Sequence, residues 1–389
     1  MGTLLIQGGD VYTPFEAIED GAVLARDGVI EQVGRRADVA TAGADVTVDV
    51  GGRIICPGFI DLQVNGGGGA LLTEQGDVNA IERMTRAHAR FGTTAMLPTV
   101  VTTAEAQIAR ALAAVGEAVG RKPVGARVLG AHLEGPFISV KRKGAHAERF
   151  IVPPDRELSR RFIEASAGSL RLITLAPELP GALDLIAAAC AASVIVSIGH
   201  TDATYEEARA GIAAGATVAT HVFNAMRGLH HREPQALGAL LQDERVVTTV
   251  IADAVHVHPA VLRLVARAKG AQAAALVTDA MSPVGTDVAS FNIASGEVAV
   301  RDGACYLPNG TLAGSALTMD RAVHNMHRLA GVPLRESIEM ATATPARVLG
   351  MQAEIGVLTP SAHADIVVCD RDLNIWRVFV GGEEAIAAN

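Results

Sequence analysis

Between Phe59 and Ala280 the chain repeats one alternation eight times, a short apolar run followed by a longer amphipathic or alanine-rich stretch. The runs are FIDLQV from Phe59, TAMLPTVV from Thr94, RVLGAHLEG from Arg127, LRLITLAPE from Leu170, SVIVSIGH from Ser193, ATVATHVFNAM from Ala216, VVTTVIADAVH from Val246 and AALVTDAM from Ala274. Their near-continuous Val, Ile, Leu and Ala content suits parallel strands covered by helices better than one-sided antiparallel strands. The segments between them carry helix signals: Asp77 to Phe91, Thr103 to Val119 with Thr103 at a cap position, and Ala203 to Ala214 opened by TDATYEEA. Eight such units predict an α/β fold, a (β/α)8 TIM-type barrel. A doubly wound open sheet is the competing architecture, because periodicity alone does not establish closure.

The flanks read differently. Residues 1–56 hold short alternating runs (TLLIQGGDVYT, GAVLARDGVIEQVG, DVTVDVGGRIICPG) broken by Gly and Asp, as in small antiparallel sheets, and ADIVVCDRD and IWRVFVGGEE near the C-terminus look like two further strands. The expected division is therefore a barrel over residues 57–358 and a small β-sandwich domain shared by residues 1–56 and 359–389. FNIASGEVAVRDGACYLPNGTLAGS, after the eighth run, reads as a hairpin insertion before the last helix or as part of the outer sheet.

Composition narrows the function classes. The 389 residues carry 33 Lys and Arg against 42 Asp and Glu, a net charge of −9, so no general basic field draws the chain to nucleic acid or anionic membrane. Aromatic residues at 3% argue against stacking platforms for single strands. The four cysteines are far apart with no CxxC pair, which points to reduced thiols. MGTLLIQGGD lacks the basic start and apolar core of a signal peptide, and the apolar uncharged stretch between Asp184 and His200 is too short to span a bilayer. A soluble cytoplasmic enzyme is expected.

In a barrel of this kind chemistry sits where strands end. The third run ends in His132-Leu-Glu134, the fifth in His200, the sixth in His221, the seventh in Asp253 to His256 and the eighth in Asp279. Any one of these histidines, alone, is more often a hydrogen-bonded structural residue than a ligand. Together, Glu134, His200 and His221 could converge on one cation from different walls. Two imidazoles and a carboxylate suit Zn²⁺ or Fe²⁺ and leave a coordination position open, the catalytic arrangement. Asp279 would then take a proton from water and return it to a leaving group; otherwise it is a helix cap or a structural acceptor. Strand one offers Gln63 and Asn65 where a two-metal barrel hydrolase has His-x-His, and amides are poor zinc ligands, so one metal ion is expected with both amides as hydrogen-bond groups. Glycines 66 to 69 lack a phosphate-loop frame and read as a tight turn. In FNAMRGLHHREP, Asn224, backbone N–H groups and Arg232 suit an oxyanion; on this segment alone Arg232 reads equally as an exposed residue in a surface ion pair. Lys141, Arg142 and Lys143, near His146, read equally as a solvated loop.

At HLEGPF, GHTDATYEEA, THVFNAM, REP, DAVHVHP, TDAMSPVG and TLAGSALTM the sequence resembles the N-acetylglucosamine-6-phosphate deacetylases of the amidohydrolase superfamily, from PGFIDLQVNG through GVLTPSAHADIVV. The resemblance implies a metal-dependent deacetylation of N-acetyl-D-glucosamine 6-phosphate, giving glucosamine 6-phosphate and acetate. It implies one divalent metal ion per subunit, Zn²⁺ first and Fe²⁺ or another transition metal second, on Glu134, His200 and His221. It further implies Asp279 as general acid/base and His146, beside Ala145, as the group polarising the amide carbonyl. Asn224, Ala225, Arg232 and His256 are implied to hold sugar and phosphate, and Leu312, Ala313 and Gly314 to close over the acetyl end. A homodimer is implied as well, with Arg232 serving its own or a neighbouring site. The alternatives are N-acetylgalactosamine-6-phosphate deacetylation and another amidohydrolase activity on a small amide, which has no need of a phosphate-holding Arg. A non-catalytic scaffold is a third reading, which failure to bind metal would favour.

Overall fold

A computed structural model describes residues 2–13, 15–40 and 43–386; the remaining positions of the two terminal segments lie outside the described residues. Eight parallel strands follow one another round a ring: β1 (Phe59–Val64), β2 (Thr93–Val101), β3 (Ala131–Glu134), β4 (Leu170–Leu175), β5 (Ile195–Ile198), β6 (Val218–Ala219), β7 (Val247–Ile251) and β8 (Ala274–Val277). Each coincides with one of the eight apolar runs. The ring closes at its C-terminal rim, where Asp279 N–H donates to the Gln63 carbonyl at 3.0 Å and Asn65 N–H to the Ala280 carbonyl at 2.9 Å. An open doubly wound sheet has no such bonds between its first and last strands.

Most strands are shorter than their runs, the third and sixth for a visible backbone reason. The third is split, Arg127–Val128 pairing with β2 on its own, because Gly130 turns the backbone to φ +143°. A Cβ there would lie 2.5 Å from the Ser169 carbonyl oxygen. The sixth stops after two residues, since His221, Phe223 and Ala225 all take positive φ.

Asp77 caps the helix Val78–Ala89, accepting from the Ala80 N–H at 2.8 Å. The helix Tyr205–Ala213 begins with a reciprocal capping box between Thr204 and Glu207. The Thr103 cap is not formed. Ala104 occupies that position ahead of Glu105–Ala118, and the Thr103 hydroxyl donates instead to Gln107 Oε1 at 3.1 Å.

The insertion is a sheet of its own, the antiparallel strands β9 (Ser290–Ile293), β10 (Gly296–Arg301), β11 (Ala304–Tyr306) and β12 (Leu312–Ser315), set between β8 and the helix Met319–Arg328. It packs Val298, Cys305 and Ala313 against Met281 and Leu71, and so roofs the rim near β8.

Both chain ends build one eight-stranded sheet, joined where Ile54–Pro57 pairs antiparallel with Ile366–Cys369. It is mixed rather than antiparallel, because Thr3–Tyr12 runs parallel to Val46–Asp49 and to Ile54–Pro57. Leu4, Ile6, Val23, Ile55, Ile366 and Phe379 share its core. All four thiols stand unpaired. Among the described residues no helix is long and apolar enough to cross a membrane.

Candidate active site

The ends of β3, β5, β6 and β8 meet on the floor of a 340 Å³ cavity. Glu134 is the last residue of β3; His200, His221 and Asp279 each follow the end of a strand by two residues. Those three have φ of +48°, +30° and +52°. Non-glycine residues held there cost roughly 1–3 kcal/mol each, and the surrounding barrel imposes the geometry. The turn swings each side chain inward to the barrel axis.

Glu134, His200 and His221 offer one ligand atom each within 4.8 Å of one another. Glu134 Oε1 lies 3.0 Å from His221 Nε2 and 3.3 Å from His200 Nε2. His200 donates its Nδ1–H to the Arg142 carbonyl at 2.9 Å, so the lone pair of Nε2 faces the cluster. That Nε2 is buried and has no hydrogen-bond partner. An orphaned imidazole nitrogen beside a second imidazole and a carboxylate is what a divalent transition metal fits.

Gln63 Nε2 donates to Glu134 Oε1 at 2.8 Å and to Asp279 Oδ1 at 3.2 Å, while Asn65 Nδ2 donates to the same Asp279 oxygen at 2.7 Å. The amides of strand one therefore act on the two carboxylates as hydrogen-bond donors. Burial and then the charge of Glu134 push the Asp279 carboxyl up. Burial would push Glu134 up too, but the imidazoles of His200 and His221 beside it, the latter within hydrogen-bond distance, hold it well below the usual carboxylate range. His146, 3.7 Å from Glu134 Oε2, is drawn down to about 3 by burial and then by the neighbouring His200. It is neutral at physiological pH.

Ala145, Asn224, Ala225, His256, Leu312, Ala313 and Gly314 line the same cavity. His256 donates Nδ1–H to Asp253 Oδ2 at 2.6 Å, which fixes its tautomer. Arg232 does not reach the cavity of its own chain. Residues 228–233 are exposed, and its guanidinium lies 2.9 Å from His231 Nε2. No Lys or Arg is among the residues lining the cavity. His132 proves structural, its Nε2 2.8 Å from Thr174 Oγ1 in a hydroxyl network beneath the floor.

Sequence reasoning passed over Asp61. It lies two residues below Gln63 on a fully buried strand, so period-two alternation puts Asp61, Gln63 and Asn65 on one face. Asp61 accepts from Thr278 Oγ1 at 2.5 Å and from the Gln63 N–H at 3.1 Å, bracing the residue that precedes Asp279. Burial pushes its carboxyl from an ordinary 3.8 to about 7.

Residues 54–385 match the family described as Amidohydrolase family. The chain belongs to it. Over 340 residues it is 38% identical to an N-acetylgalactosamine-6-phosphate deacetylase of Escherichia coli O157:H7, covering 86% of this chain and 88% of that protein. An N-acetylglucosamine-6-phosphate deacetylase of Lysinibacillus sphaericus is 32% identical, with 100% of this chain and 99% of that protein covered. Among solved structures, N-acetylglucosamine-6-phosphate deacetylase from Pasteurella multocida superposes with a TM-score of 0.94 at 33% identity, all of both chains covered. A mutant of the Mycobacterium smegmatis deacetylase in complex with N-acetyl-D-glucosamine-6-phosphate gives 0.93 at 32%, again over the whole of both chains. The family is metal-dependent, and this chain has a Glu/His/His group able to bind a metal.

Two outcomes follow from this geometry. Replacing His200 with Ala should leave purified protein without bound metal by elemental analysis, and full occupancy would remove His200 from the ligand set. Asp61 sets a stability trend in metal-free protein. Its folded-state carboxyl keeps a proton that the unfolded chain releases between pH 3.8 and about 7, so stability falls as pH rises through that window. Chemical denaturation across that range should show a steeper decline for wild type than for Asp61→Asn; parallel curves would mean Asp61 is ionised.

Proposed function

We propose that this chain hydrolyses the acetamide of N-acetyl-D-glucosamine 6-phosphate to D-glucosamine 6-phosphate and acetate. The observation that carries the reading is the Asp279 carboxylate, pinned through one oxygen by Asn65 and Gln63 beside the Glu134, His200 and His221 cluster. The relatives' names supply the substrate class. One divalent ion per subunit, Zn²⁺ or another transition metal such as Fe²⁺, would sit on Glu134, His200 and His221 and supply Lewis acidity to water and to the amide carbonyl.

The chain's own groups do the rest. With Oδ1 held by two amide donors, Asp279 presents Oδ2 to take a proton from the attacking water and pass it to the departing nitrogen. Neutral His146 donates an N–H to the carbonyl oxygen as charge develops there. The small walls Ala313 and Gly314, with Leu312, suit an acetyl methyl. Ala145, Asn224, Ala225 and His256 meet the sugar, His256 keeping Nε2 free because Asp253 takes its other nitrogen.

The phosphate needs a cation, and the cavity of one chain is lined by none. This supports a homodimer in which the exposed Arg232 reaches the neighbouring subunit's site. The reading keeps the barrel at residues 57–358 as the catalytic unit and residues 1–56 with 359–389 as the second domain. The galactosamine epimer is a second reading, favoured by relatives of that name at 38% and 36% identity. Comparing kcat/KM for the two 6-phosphosugars decides between them; a preference for unphosphorylated amides would sink both.

Asp279→Asn should keep its metal and lose roughly 10²–10⁴ in turnover, the contribution of general acid–base catalysis. A loss below about tenfold would hand the proton to another group. Arg232→Ala should weaken kcat/KM about 10- to 150-fold for the phosphorylated substrate, a charge-assisted bond of about 1.5–3 kcal/mol. Equal losses with unphosphorylated N-acetylglucosamine would make Arg232 structural.

A further inference from the structure

The three loops that carry the cluster also share one carboxylate farther out. Asp202, two residues after His200, accepts from Arg142 Nε at 2.9 Å and lies 3.4 Å from Lys141 Nζ, both on the loop that follows Glu134. It also lies 3.7 Å from Arg227 Nε, on the loop that follows His221. A fourth loop, after β4, braces it: Glu178 accepts the Asp202 N–H and the Thr201 hydroxyl, each at 2.6 Å. The link runs inward as well as across. Arg142, gripped by Asp202 through its side chain, presents its main-chain carbonyl to His200 Nδ1 at 2.9 Å, and Ser139 N–H donates back to the His200 carbonyl at 2.9 Å.

We propose that Asp202 is a positioning residue for the metal site, holding the β3, β5 and β6 loops in register and, through Arg142, setting the tautomer and ring orientation of His200. It touches neither substrate nor reacting atoms. The inference rests on the reading of Glu134, His200 and His221 as metal ligands. Partners one step behind a ligand typically govern metal affinity by 10- to 100-fold. Lys141 is a weak member, its side chain 79% exposed, whereas Asp202 is 16% exposed and Arg142 35%.

The test measures Zn²⁺ affinity of full-length protein by chelator competition. Asp202→Asn should weaken Zn²⁺ binding about 10- to 100-fold, Asp202→Glu should recover part of that loss, and Lys141→Ala should change little. Arg142→Met removes the tether but leaves the carbonyl, and should match Asp202→Asn. Because both act through one link, the double variant should bind no worse than either single variant, which a general loss of stability would not produce. If Asp202→Asn fails to fold, Arg142→Met carries the test. Wild-type affinity in Asp202→Asn or Arg142→Met, or additive losses in the double variant, overturns the proposal. Wild-type protein that takes up no Zn²⁺, or His200→Ala that binds it normally, overturns the ligand assignment beneath it instead, so the two failures are distinguishable.

Discussion

Two carboxylates buried side by side on the floor of the barrel are the constraint around which the rest is arranged. Glu134 and Asp279 are 3% and 9% exposed, and each raises the cost of ionising the other. An uncompensated buried charge costs several kcal/mol, so such a pair persists only with donors and cations supplied by the fold. The barrel supplies them in two tiers. His200 and His221 face Glu134, and Gln63 spans both carboxylates with a single NH₂ group. A metal ion on the open side would reverse the sign of the local field and favour the ionised Asp279 that base catalysis needs.

The same arrangement explains where the backbone is unusual. His200, His221 and Asp279 leave their strands in left-handed conformations that turn their side chains to the axis. That strain sits on a rim closed by the bonds between the Gln63–Asn65 segment and Asp279–Ala280. Closure and chemistry use the same residues. The donors that pin the Asp279 side chain belong to the strand whose main chain completes the ring.

Much of this was legible because a parallel barrel writes its active site into the places where apolar runs turn polar. Glu134, His200, His221 and Asp279 stand at such places, and the structure brings them together. What escaped was set by contacts distant in sequence. Asp61 stands inside an apolar run rather than at its polar end, and only its shared face with Gln63 marks it. The Thr103 cap failed because Gln107 offered its hydroxyl another acceptor. Arg232 was assigned by its chemistry, but the direction of an exposed loop leaves no periodic trace. The terminal strands read as antiparallel from their turns, yet Thr3–Tyr12 finds parallel neighbours that no local pattern encodes.

The terminal sheet has a consequence for how the chain is made. Ile54–Pro57 emerges early from the ribosome, and its partner Ile366–Cys369 follows roughly 300 residues later. At about 5–20 residues per second that is a wait of roughly 15–60 s. Throughout it the nascent chain carries an open sheet edge of apolar residues beside an unfinished barrel, a surface prone to pairing with the wrong strand. The strand that seals this edge is therefore made only after the barrel, and synthesis of Ile366–Cys369, rather than of the barrel alone, ends its exposure to misassembly.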